Sequence, residues 1–174
     1  MCSICGAAHE GLPFSWGFDA PVYWNGLDEE RGAEGYCDTD LCSFRDDSGE
    51  WAHFVRGTIE IPVIDGAPPD EDWFAIGVWA SLSASNFNWL VEHWDAGPDE
   101  QGKSWFGWLS SVIPIYPDTL NLKTNVILRG ESLRPRIEVQ PSDHPLAQDQ
   151  WNGIALERAQ ALAARWMHVA DASE

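Results

Sequence analysis

The sequence predicts an α+β fold: a mainly antiparallel sheet, two or three helices packed on it, and an irregular N-terminal segment clipped by zinc. Three observations predict it. Apolar residues alternate with period two over 53–63 and 122–129, a run apolar on both faces fills 73–82, and a further strand follows at 136–140. Helical spacing replaces that alternation over 83–94 and again from 143 to about His168. Residues 1–50 hold all four cysteines and few periodic apolar positions, so they need a staple or must drape over the rest. A chain of 174 residues fits one domain, 1–174, with 1–50 as the metal-type segment and 51–174 as the α+β core.

The elements follow in order. A short helix fits Leu27–Gly35. Ile59, Ile61 and Val63 alternate with Thr58, Glu60 and Pro62, which reads as a strand. Asp65-Gly66-Ala67-Pro68-Pro69-Asp70 is a turn. Both faces of the next strand are apolar, Phe74, Ile76 and Val78 on one and Ala75, Gly77 and Trp79 on the other, which places it inside the sheet. Ser83 or Ser85 can cap the helix that carries Phe87, Leu90, Val91 and Trp94 on one stripe. Residues 105–113 fit a helical turn or a strand. After the Tyr116–Thr119 turn, two alternating runs joined through Gly130 and Ser132 read as a hairpin. Asp143 can cap a single long last helix, with Pro145 in its first turn.

Cys2-Ser3-Ile4-Cys5-Gly6 carries the most specific chemistry. Two thiolates three positions apart can bind one ion from a tight turn, and Zn²⁺ takes four N or S ligands in a tetrahedron. With Cys42 as third ligand, the fourth is His9 or Cys37. Four protein ligands leave no open position, so the zinc is expected to be structural. A disulfide and a thioredoxin-like pair are weaker readings of the same cysteines. The enzymatic alternatives are a Cys/His nucleophilic pair, or a pocket around Asp118, Asp143 and His144. Asp143-His144-Pro145 fits a helix cap better than a catalytic group. No glycine-rich phosphate loop, Gly-x-Ser-x-Gly elbow or His-Glu-x-x-His pair occurs.

Tryptophan is abundant, with 11 in the chain. Trp79, Trp89, Trp94, Trp151 and Trp166 lie in periodic segments and are expected in the core. Trp16, Trp24 and Trp105 lie in loop-like sequence and could line a groove. Arg158 falls on the apolar stripe of the long last helix, so it is expected to be buried against a carboxylate.

The formal net charge is -18. Such a field repels nucleic acid and anionic lipid and attracts basic proteins. The expected partners therefore exclude nucleic acid and membranes. No apolar run is long enough for a bilayer span, and the first residues lack the regions of a signal peptide, so the expected location is cytoplasmic. The expected role is a non-enzymatic binding or interaction module. An enzyme, or an acidic inhibitor or immunity-type protein that masks a basic partner, is the alternative.

Several short motifs occur together: Cys2-x2-Cys5-Gly6-x2-His9, Leu12-Pro13, Asp40-Leu41-Cys42, Phe54-Val55-Arg56-Gly57, Glu60-Ile61-Pro62-Val63 and Gly77-Val78-Trp79. Tyr116-Pro117-Asp118-Thr119-Leu120, Asp143-His144-Pro145-Leu146-Ala147 and Gly153-Ile154 follow in the same order. Together they resemble a bacterial family catalogued as domain of unknown function 2199. The resemblance covers nearly the whole chain. It implies a bacterial, soluble, single-domain protein and carries no activity with it. It also implies that Cys2, Cys5, His9 and Cys42 occupy motif positions while Cys37 does not, which favours His9 as fourth ligand. Arg56, Asp118, Asp143, His144 and Arg158 are likewise implied to sit at motif positions.

Overall fold

Alternating β-branched and aromatic residues continue beyond the expected strand to fill Trp51–Asp65, a strand of 15 residues around which the sheet is built. The computed structural model describes residues 14–65, 72–95 and 97–171. Cys2, Cys5 and His9, and most of the turn that starts at Asp65, lie outside the described residues. In chain order the long strand is β4, after β1 (Ser15–Gly17), β2 (Tyr36–Cys37) and β3 (Leu41–Arg45). It is followed by β5 (Trp73–Leu82), β6 (Ser104–Trp108), β7 (Lys123–Ile127), β8 (Arg136–Val139) and β9 (Ile154–Ala155).

β5 lies antiparallel along one edge of β4, from Pro62 opposite Trp73 to His53 opposite Leu82. The other edge of β4 is shared by three strands. β3 takes Trp51–Val55, β8 meets Thr58, and β9 meets Val63 and Asp65. β6, β7 and β8 form an antiparallel meander. The chain after β6 then returns to β5, where Leu109 bridges to Ala80 and the Ser110 amide donates to the Trp79 carbonyl at 2.7 Å. The sheet thus curls back towards its own start.

This sheet is mixed, which corrects the mainly antiparallel expectation. β1–β5, β4–β8 and β4–β9 are parallel pairs. Adjacent strands separated by turns naturally give antiparallel hairpins. The parallel pairs join segments distant in sequence and have no local signature. Gly57 permits one of these approaches: a Cβ there would fall 2.6 Å from Ile137 Cδ1 and 2.7 Å from the Pro135 carbonyl oxygen.

Among the described residues four α-helices accompany the sheet, against the two or three expected. α1 (Glu29–Glu34) is the short acidic helix, and the Asp28 carboxylate caps it by accepting from the Arg31 amide. α2 (Ala84–Glu92) is capped by Ser83. Phe87 and Leu90 of its stripe are buried, whereas Val91 is exposed and Trp94 lies past the helix end. The long last helix is two helices, α3 (Pro145–Asn152) and α4 (Leu156–Asp171), with β9 between them. Gly153 causes the break. Its φ is +74°, and a Cβ there would sit 2.5 Å from Ile64 Cγ2 and 3.1 Å from the Pro62 oxygen, so only glycine lets Ile154 reach β4.

The main core lies on one face of β4 and β5. Val55, Ile59, Ile61, Phe74, Ile76 and Val78 meet Leu90 of α2, Leu146 of α3 and Ala163 of α4, all fully buried. Burial of each large apolar side chain contributes about 1.5–3 kcal/mol. Trp79 points to the opposite face and belongs to a second cluster with Cys42, Phe44 and Phe54. The loop tryptophans pack onto these cores instead of lining a groove. Trp16 stacks on Trp166 with centroids 5.4 Å apart, Trp24 meets Phe44, and Trp105 meets Trp89. Trp151 departs from expectation: it is half-exposed, with its indole N–H donating to the Val139 carbonyl at 2.8 Å.

Candidate functional site at the cysteine hairpin

The segment read as irregular contains a hairpin whose two strands present cysteine to cysteine. Cys37 ends β2 and Cys42 is the second residue of β3, and the antiparallel register sets them directly opposite each other. Direct partners share one face of the sheet. The turn between them is fixed by Asp38. Its carboxylate accepts from the amides of Asp40 at 2.8 Å and Leu41 at 2.7 Å, and its own amide donates to the Leu41 carbonyl at 2.9 Å. That register sets the two thiol side chains next to each other. Both are free thiols; Cys42 is fully buried and Cys37 partly so. Burial pushes both thiols above the ordinary cysteine range, Cys42 the further.

Around Cys42 the second cluster forms an aromatic floor. Phe44 and Phe54 stack with centroids 5.2 Å apart, and Trp79 donates from its indole nitrogen to the Phe18 carbonyl at 3.0 Å. The same phenylalanines line a cavity of about 460 Å³ together with Tyr23 and Leu27. Its rim carries Arg31, Asp46 and Asp47. Arg31 pairs with Asp28 and Asp47, which raises its pKa, with the Asp47 hydrogen bond the larger cause. Asp46 is held below the usual carboxylate range, first by the Ser48 hydroxyl.

His53 lies across β3 and β4 from Ser43. Its Nδ1 shares a hydrogen bond of 2.8 Å with the Ser43 hydroxyl, and its ring stacks on Phe87. Burial lowers its pKa. The unfolded chain therefore binds a proton that the folded one resists. Stability should be complete above the ordinary histidine pKa, and should decline as pH falls through that value towards the folded one. Denaturation midpoints measured across this window are expected to show the decline, with His53→Gln flattening it. An unchanged profile in the variant would contradict the assignment.

Arg56 lies on β4 against β1 and β5. A Cβ on Gly17 would fall 2.7 Å from its Nη2, and its Nη1 donates to the Thr39 carbonyl at 3.4 Å. Its buried Nε has no hydrogen-bond partner among the described residues.

The residues of the enzymatic alternative are spoken for or dispersed. His144, and not Asp143, is the cap of α3. Its Nδ1 accepts from the Leu146 amide at 3.1 Å, and its Nε2 lies 2.6 Å from the Pro117 carbonyl. Both ring nitrogens thus serve the backbone. Asp118 and Asp143 are exposed. Among the described residues, the cavity beside the hairpin and three other well-formed ones are not lined by Asp118, Asp143 or His144. Arg158 is paired as expected, with two bonds of 3.0 and 2.6 Å to one Asp149 oxygen, but its side chain is 48% exposed. The break at Gly153 resets the helical phase and turns it outward. Asp149 also accepts from the Tyr116 hydroxyl at 2.8 Å. Asp149 thus joins Tyr116 to Arg158, and burial pushes the Tyr116 pKa well above its ordinary value.

Sequence reasoning missed the pairing of Cys37 with Cys42, and the cavity beside it. A signal existed: Cys42 and Phe44 alternate with Ser43 and Arg45 as strand residues do. Among the described residues, no group of three or more His, Cys, Asp or Glu side chains gathers to hold a metal ion. None of the helices there is long and apolar enough to cross a membrane.

The family model for an uncharacterized protein conserved in bacteria, DUF2199, matches residues 1–154. The chain belongs to the DUF2199 family. No curated protein and no solved structure matches it. The DUF2199 match takes in the Cys2–His9 motif and the hairpin, and stops where β9 begins, before α4.

Proposed function

We propose that this DUF2199 protein is a non-enzymatic binding module in which one structural zinc ion ties residues 1–50 to the sheet, and that the cavity beside the tie receives a basic, partly apolar segment of a protein partner. The observation that carries the reading is the cysteine hairpin. Two thiols sit side by side on a pinned turn, in a chain whose other two cysteines have chelate spacing at Cys2 and Cys5. Zinc there closes the segment without leaving a position for substrate.

The partner's character follows from the cavity. Phe44, Phe54, Tyr23 and Leu27 offer apolar surface, and Asp46 and Asp47 outnumber Arg31 at its edge. The net charge of -18 extends the same field over the molecule and opposes nucleic acid. Titration with a short peptide of alternating lysine and leucine tests this. Binding is expected at low salt, should weaken as salt rises, and should weaken further in Tyr23→Ala. Failure to bind at low salt, or salt-resistant binding of duplex DNA, would contradict it.

A further inference from the structure

We propose that the outer face of β4 carries a second site, a cavity walled by Trp73 and Trp151 that takes one ring of a neutral saccharide. The sheet register builds it. Ile59, Ile61 and Val63 of β4 point into the main core, so Glu60 and Pro62 point to the opposite face. Ile137 and Val139 of β8 do the same, which leaves Arg136 and Glu138 on the outside. Trp73 of β5 is the direct partner of Pro62 and shares its face. Together with Trp151 of α3, these residues line a cavity of about 140 Å³. It is separate from the cavity beside the hairpin: Phe54 in that one and Glu60 in this one stand about 20 Å apart along β4.

Both tryptophans are half-exposed, and Trp151 is fixed in place. Its indole N–H donates to the Val139 carbonyl at 2.8 Å. The neighbouring Gln150 accepts from the Val139 amide and donates to the Ile137 carbonyl, both at 2.8 Å. Three hydrogen bonds thus pin this turn of α3 to β8, and a wall set in advance loses little freedom on binding. The face of an indole is electron-rich and attracts the weakly positive C–H groups of a sugar ring. The cavity volume equals the share of roughly four or five water molecules, room for most of one pyranose ring.

Charge selects the class of ligand. Glu60 is paired with Arg129, and Glu138 with Arg136 at 2.7 Å. The polar floor is therefore neutral as a whole. An anion would meet the field of a chain with net charge -18, and a cation would meet the two guanidiniums. An apolar partner would have to strip water from two ion pairs and return nothing. A polyol does neither. A carboxylate has about four acceptor positions and a guanidinium five donors, so each pair can stay intact and still bond hydroxyl groups. Those bonds are charge-assisted and replace the ones water makes there.

Saturation-transfer NMR on the full-length protein tests the proposal, with maltose, cellobiose, lactose and di-N-acetylchitobiose as neutral probes and choline as the cationic one. Transfer to the ring protons of at least one sugar is expected, saturating at millimolar concentration. Trp73→Ala and Trp151→Ala should each weaken it about tenfold, the upper worth of one aromatic contact. Tyr23→Ala, in the other cavity, should leave it unchanged. Should Trp151→Ala fail to fold, Trp73→Ala at the start of β5 decides alone. No transfer to any of the four sugars would overturn the proposal. So would sugar binding that survives Trp73→Ala, sugar binding lost in Tyr23→Ala, or choline binding more tightly than every sugar and lost in Trp73→Ala.

Discussion

Replacing Trp79 by alanine is expected to lower stability by about 3–5 kcal/mol, the usual cost of emptying a large aromatic site in a core. Trp79 is fully buried within β5, which like β4 supplies residues to both hydrophobic clusters. Its side chain fills the cluster with Cys42, Phe44 and Phe54, on the face opposite the main core. Its indole also holds the Phe18 carbonyl, and loss of that bond leaves an acceptor that Ala cannot satisfy, adding about 1 kcal/mol. Urea denaturation should show the loss as a lower midpoint. Trp151→Ala is the comparison. Its indole is half-exposed, so its removal should cost distinctly less despite equal volume. Equal midpoints for the two variants would refute this account of the second cluster.

Chelation of the proposed zinc is expected to give the second large effect. Structural zinc contributes folding free energy directly, on the order of 10 kcal/mol in small zinc modules, because the site does not exist in the unfolded chain. Here the rest of the fold has its own core, so the loss should be local. β2 holds two residues and pairs only with β3. By contrast, β4 and β5 share a ladder from His53 to Pro62. Amide hydrogen exchange after chelation is therefore expected to quicken in β1, β2 and β3 and to leave β4, β5, α3 and α4 protected. Uniform quickening across the chain, or none, would refute local anchoring.

The parts of this fold that alternation or capping chemistry encodes locally were legible in the sequence. β4, β5, the β7–β8 hairpin, the Ser83 cap and the Pro145 helix start all follow from neighbours a few residues apart. Three features were not, each for a physical reason. The parallel contacts of β1, β8 and β9 join distant segments, and no local pattern records a parallel partner. Gly153 stands inside continuous helical spacing, and its role depends on Pro62 and Ile64, some ninety positions earlier. That break also explains why Arg158 meets its carboxylate at the surface and not in the core. β2, with two residues, is too short to show a period, and the brief alternation of Cys42 and Phe44 in β3 stands isolated between acidic turns. The candidate site was legible as a set of ligand types. The opposition of Cys37 and Cys42 needed the register of the hairpin.

Elemental analysis of the purified, reduced protein tests the central claim most directly. The account predicts about one zinc per chain at neutral pH, removable by a strong chelator together with protection of the β2–β3 hairpin. Metal-free protein in which that hairpin stays as well protected as β4 and β5 would contradict it.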